Sequence, residues 1–197
     1  MFNTANFIKD SLTESSRLKL EIIEKCTGDI LKISNIIIDC IKKGNKLMFC
    51  GNGGSAADCQ HIATEFMIRL SHDVKRPAIP ALALTTDSSN LTAGGNDIGF
   101  ENIFARNVEG LGNEGDVLIG ISTSGNSENI IRALKKAKEK NIKTIGFLDM
   151  TGGKMKSYCD YSICIPSLNV QRIQESHILV GHILCESTER LIYGTDL

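Results

Sequence analysis

The sequence predicts an α/β protein: a single domain over residues 1–197, with one five-stranded parallel sheet flanked by helices in three layers. Three observations predict it. Short apolar runs alternate along the chain with segments of helical period, the pattern of βαβ units joined by right-handed crossovers. The runs are continuously apolar rather than alternating, which suits strands buried on both faces of a parallel sheet. The length, 197 residues, is enough for one α/β domain with a full core and short for two.

The elements follow in order. N-terminal helices cover about 4–43. Residues 4–26 place Phe7, Ile8, Leu12, Leu18, Leu20 and Ile23 at helical spacing. Asp29 to Lys43 repeats the pattern with Ile30, Leu31, Ile33, Ile36, Ile37 and Ile41, and Gly44 reads as its stop. The strands are Lys46–Cys50, Pro80–Leu84, Asp116–Ile121, Ile142–Leu148 and Tyr161–Ile165. Helical segments lie between them over 55–70, 88–110, 127–140 and 152–158, and a long last helix spans 170–193.

Composition narrows the function classes. Hydrophobic residues make up 42% and charged residues 23%, ordinary globular values. A formal net charge of -1 gives no general attraction to nucleic acid or anionic lipid, so neither is expected as a partner. No apolar run is long enough to cross a membrane. The polar, amphipathic start MFNTANFIKDSLTESSRLKL lacks the apolar centre of a signal peptide. Seven cysteines, an odd number with no CxxC pair, indicate neither a disulfide framework nor a zinc finger. The chain reads as a reduced, cytoplasmic protein.

Two strand-to-helix junctions carry the chemistry. The first is Cys50-Gly51-Asn52-Gly53-Gly54-Ser55-Ala56-Ala57, and the second is Ile121-Ser122-Thr123-Ser124-Gly125-Asn126-Ser127. Both leave the carboxyl end of a strand, where ligands sit in open parallel sheets. Glycines admit a close backbone approach, and the amides and dipole of the following helix favour an anion. Ser122, Thr123, Ser124 and Ser127 add uncharged donors, as a phosphate monoester requires. Either loop alone reads equally as a tight turn capped by serine; two at one sheet edge favour phosphate. Neither continues into GK[ST] or forms GxGxxG, so a nucleotide fold motif is absent. A third segment, Gly94 to Phe100, reads as an Asx turn, or as a place where Asn96 and Asp97 meet sugar hydroxyls.

His61 and Glu65 stand four apart on the helix that opens at the first loop, hence on one face. The last helix carries Gln174, Glu175, His177 and His182. Such residues suit a surface ion pair and a core histidine, or alternatively acid–base work and metal binding. An aldose–ketose isomerase needs a base beside the carbonyl and an acid between the two oxygens, which a carboxylate and a histidine supply. A zinc ion could polarise the carbonyl instead of, or beside, the histidine. Gln174 and His182 lie about 12 Å apart along a straight helix and roughly 80° apart around it. Gathering both with His61 and Glu65 calls for long side-chain reach or a neighbouring subunit.

These motifs together resemble the phosphoheptose isomerase family: CGNGGSAAD, Gln60-His61 to Glu65, Gly95 to Phe100, Glu114 to Ser127, and Arg172 to His177 with His182. The resemblance spans about residues 5–193. It implies the sugar isomerase (SIS) fold, a homotetramer with sites at subunit interfaces, and conversion of D-sedoheptulose 7-phosphate to D-glycero-D-manno-heptose 7-phosphate for lipopolysaccharide or surface glycans. By position, Glu65 matches the general base and His182 the general acid. His61, Glu65, Gln174 and His182 match the ligands of one zinc per subunit. Asn52, Gly53, Gly54, Ser55, Glu65, Asn96, Asp97, Ser122, Thr123, Ser124, Ser127 and Gln174 match substrate contacts. Gln171 departs from the acidic or small residue that many members carry before RIQE.

Three other readings share the fold. A non-catalytic relative, the DnaA-initiator-associating protein, lacks the glutamate and the late histidine that this chain keeps. A sugar-phosphate sensor would need the serine loops alone, usually beside a DNA-binding module. An isomerase of another phosphosugar would carry the same loops.

Overall fold

The computed structural model describes residues 2–194; residue 1 and residues 195–197, inside the expected domain bounds, lie outside the described residues. The chain forms helix α1 (Thr4–Lys42), strand β1 (Leu47–Gly51), helix α2 (Gly54–Met67), strand β2 (Ala81–Ala83) and helix α3 (Ser88–Asp97). A 3-10 turn (Phe100–Asn102), helix α4 (Ile103–Leu111), strand β3 (Val117–Ile121), helix α5 (Glu128–Glu139) and strand β4 (Lys143–Leu148) follow. A second 3-10 turn (Lys154–Tyr158), strand β5 (Tyr161–Cys164) and helix α6 (Val170–Tyr193) complete it.

The five strands pair in parallel in the order β2-β1-β3-β4-β5. Side chains alternate across the pleat, so each strand feeds two cores. Leu47, Phe49, Val117, Ile119, Ile145 and Phe147 pack beneath α1, α2 and α6. Met48, Cys50, Leu118 and Leu148 pack beneath α4 and α5. Strand order reverses between β1 and β3, the crevice where open α/β sheets bind ligands. The register sets Gly51 opposite Ile121, so the loops after these strands leave the sheet at one level.

Three expectations are corrected. The two N-terminal helices are one helix of 39 residues. Gly28 inside it costs only about 1 kcal/mol, while buried Cys26 and Ile33 on either side hold the same face against the core. Its end is as the sequence predicts: the amides of Gly44 and Asn45 donate to Ile41 and Cys40, a Schellman stop. The segment 88–110 is broken, because Gly99 takes φ 84° and the chain turns before α4. The Gly94–Asp97 stretch is therefore the last turn of α3 rather than a free turn. Residues 154–158 form a 3-10 turn.

All seven cysteines are free thiols. Among the described residues, no helix is long and apolar enough to cross a membrane.

Candidate active site

The loop after β3 is a ring of hydroxyls. Ser122 is buried, and its Oγ lies 3.5 Å from Ser124 Oγ and 3.3 Å from Ser127 Oγ. The Gly125 amide donates to Ser122 Oγ at 3.1 Å, and the Asn126 amide donates to Ser124 Oγ at 3.3 Å. Ser127 stands at the N-cap of α5 without a side-chain capping bond, so its hydroxyl faces the loop instead. Thr123 is half-buried beside it. The first loop runs alongside. Gly53 precedes α2 with φ 55° and no capping side chain, leaving the amides at the start of α2 for an anion.

A pair of amides ties the two loops together. Asn52 Nδ2 donates to Asn129 Oδ1 and Asn129 Nδ2 donates to Asn52 Oδ1, both at 2.9 Å. Asn52, expected at the substrate, thus spends its amide on Asn129. Asn129 is buried in the first turn of α5. Sequence reasoning missed it; its position five residues after Ser124 is the available signal.

The acid–base candidates meet on α2 and α6, which run side by side in the same direction. Gln174 lies on Gly54, whose missing side chain leaves room for the glutamine amide. One level further on, His61 Nε2 lies 2.9 Å from His182 Nε2, and Glu65 Oε1 lies 3.5 Å from the same His61 nitrogen. Gly181 lets α6 close on Ile62 at this level. The helix pair therefore brings His61, Glu65 and His182 together within one chain. Gln174 and His182 each meet α2 at their own height, which answers the eight-residue spacing without a neighbouring subunit for these three. Glu65 is largely buried and His61 is half-exposed. Two imidazoles and a carboxylate are a donor set that suits zinc. No group of three or more His, Cys, Asp or Glu among the described residues is already arranged to hold a metal.

Asp58, one turn before His61 on α2, is a second residue that sequence reasoning left unassigned. Burial pushes its carboxyl up to about 6, against the lowering effects of His61 and the Gln174 amide. Its Oδ2 is buried without a hydrogen-bond partner. A burial-raised carboxyl beside a histidine makes Asp58 a candidate site residue.

Other candidates lie apart. His177 is fully buried in the core, donates from Nε2 to the Leu148 carbonyl at 3.2 Å, and is held neutral with its pKa lowered by burial to about 4. Glu175 pairs with Arg172 and accepts from Ser15. Asn96 and Asp97 are exposed at the end of α3, where the Asn96 amide donates to Asp97 at 2.6 Å. Their recorded side-chain bonds join neither serine loop nor histidine pair. Gln171 is exposed in the first turn of α6, and nothing in the structure explains its departure from the family pattern.

Comparison with known proteins places the chain in a family. The SIS domain family matches residues 12–149. The chain is 51% identical over 191 residues to a phosphoheptose isomerase of Clostridium acetobutylicum, covering 96% of each chain. Its structure is similar to a phosphoheptose isomerase from Francisella tularensis, with TM-score 0.92 and 34% identity over 96% of this chain and all of that one. It is also similar to one from Neisseria gonorrhoeae, with TM-score 0.88 and 38% identity over 94% and 98% of the two chains. With near-complete coverage by relatives of this kind, the chain belongs to the phosphoheptose isomerase family of SIS-domain enzymes.

Proposed function

We propose that the enzyme converts D-sedoheptulose 7-phosphate to D-glycero-D-manno-heptose 7-phosphate. The observation that carries this reading is the meeting of His61, Glu65 and His182 about two to three turns along the helix that begins at the first loop. The hydroxyls of Ser122, Thr123, Ser124 and Ser127 and the amides of Gly53, Gly54 and Ser55 receive the phosphate. Glu65 takes a proton from C1 of the ketose, leaving an enediol, and returns it to C2. His182 carries the second proton from O1 to O2, so the sugar is rearranged with no net gain or loss of atoms. Gln174, which rests on Gly54, is assigned to the substrate, and Asn96 and Asp97 to its sugar hydroxyls.

His61, Glu65 and His182 would hold one zinc ion per subunit, while Gln174, a ligand by the resemblance, lies at Gly54, about two turns along α2 from His61. A zinc ion bound there would polarise the carbonyl and stabilise the enediolate charge. The same reading places the enzyme in the cytoplasm, as a homotetramer that supplies heptose for lipopolysaccharide or other surface glycans. Exposed Phe7, Ile8, Leu12, Leu20, Ile23 and Leu31 along α1 support packing between copies.

The test is isomerisation of sedoheptulose 7-phosphate by metal-stripped and zinc-loaded protein. Turnover in the loaded form alone assigns zinc a part in the reaction, and equal turnover in both removes it. No turnover in either, by folded protein, would reject this substrate.

Ser124→Ala is expected to raise the Kd for the sugar phosphate about tenfold to a hundredfold, with loss of one hydrogen bond to a charged group at about 1.5–3 kcal/mol. Calorimetric titration reads it directly, and an unchanged Kd would remove the serine loop from phosphate binding.

A further inference from the structure

We propose that Arg76 and Glu189 are positioning residues for the reaction, locking the helix of Glu65 to the helix of His182. The inference rests on the roles given above to Glu65 and His182.

Both side chains are fully buried, and the guanidinium and carboxylate lie 2.8 Å apart. Arg76 Nε donates to Glu189 Oε1 at 2.8 Å, and its Nη1 donates to the Pro77 carbonyl. Its Nη2 donates at 2.8 Å to the main-chain oxygen of Glu65 itself. That carbonyl lies in the last turn of α2, where a helix leaves its carbonyls without intrahelical partners. Glu189 also accepts the amides of Leu70 at 3.0 Å and Ser71 at 2.9 Å, in the segment that follows α2. Burial works to raise the Glu189 carboxyl, but those amides and Arg76 outweigh it and hold the group ionised below its ordinary value. On α6, His182 and Glu189 are seven residues apart, two turns or about 10.5 Å along one face.

A single fork therefore grips the backbone of Glu65 and the helix of His182 at once. Stability alone gives a weak reason for it. Burying both charges costs several kcal/mol each, and apolar residues of similar volume often serve the fold as well. Directional bonds to a fixed carbonyl do what apolar packing cannot: they set the height of α2 against α6. Sliding by even about 1 Å would pull Glu65 and His182 out of a common reach on the substrate.

Arg76→Lys keeps the charge and loses the fork. It and Glu189→Gln are each expected to lower kcat about tenfold or more, with KM within about twofold, since the phosphate loops are untouched. Protein with 15N-labelled imidazoles gives a second readout. Only four histidines are present, so assignment is simple. The His61 and His182 signals should shift in the variants while those of His177, buried in the core, stay in place. A folded variant with wild-type kcat and unshifted His61 and His182 would overturn the proposal. So would losses in which the His177 signals move equally, which would mark a general loosening. Should both variants fail to fold, Arg76→Met with Glu189→Leu replaces the pair by apolar groups. Wild-type imidazole signals in that double variant, or its failure to fold, would assign the pair to folding alone. If the wild type does not turn over sedoheptulose 7-phosphate, the substrate reading fails, while the imidazole signals still judge whether Arg76 and Glu189 fix the two helices.

Discussion

Replacement of Glu65 by glutamine is expected to lower turnover by about a thousandfold, within the range of roughly 10²–10⁴ that a positioned general base contributes. Affinity for the sugar phosphate should stay within about twofold of wild type. The reason is spatial. Glu65 sits at the His61–His182 contact, more than two turns along α2 from the loop amides, and takes no part in the recorded bonds of the serine loop. Glutamine has nearly the same volume, and the main-chain oxygen that Arg76 holds is unchanged. Single-turnover kinetics with calorimetric titration separates the two effects. Equal losses of affinity and rate would show that Glu65 binds rather than abstracts.

Gly125→Ala is expected to raise the Kd for the sugar phosphate by tenfold to a hundredfold and to lower Tm by several degrees. Gly125 takes φ 61° in the middle of the serine loop. An L side chain there costs about 1–2 kcal/mol, or about 2–8 °C in a domain of this size. Its β-carbon would also fall on the backbone of Gly152, with Gly153 N at 2.9 Å. Neither neighbour can swing aside as a side chain would. The Gly152 turn is pinned by Asp149, which accepts its amide at 2.9 Å, and the Gly125 carbonyl accepts the Met155 amide at 2.8 Å. The serine loop must yield instead, and Ser122 loses the Gly125 amide that orients its hydroxyl. Thermal melting and titration of the folded variant check both effects. Unchanged affinity would mean that the loop shape is irrelevant to binding.

Much of this was legible before any fold was known. The five strands lie within two residues of their expected bounds, because a fully buried parallel strand is a continuous apolar run bounded by turn residues. Both serine and glycine loops fall where a strand end meets a helix start. The His61–Glu65 spacing was readable because four residues make nearly one helical turn. The division of the first helix between residues 26 and 29 was misread, since the continuity of α1 depends on burial along its length. Gly99 went unread, since nothing local says which glycine of a cluster will adopt positive φ.

The sequence alone thus determined the α/β class, the two strand-to-helix loops rich in serine and glycine, and the shared face of His61 and Glu65, because these depend on periodicity and on neighbours a few positions apart. The tertiary structure alone decided the pairings across long stretches of chain. It joined Asn52 to Asn129, His61 to His182, and Glu65 through Arg76 to Glu189. It also sent His177 into the core and His182 to the site, although both lie on one helix. Which side of a helix faces a cleft depends on what packs against it, and partners 29 to 121 residues away leave no local pattern to read.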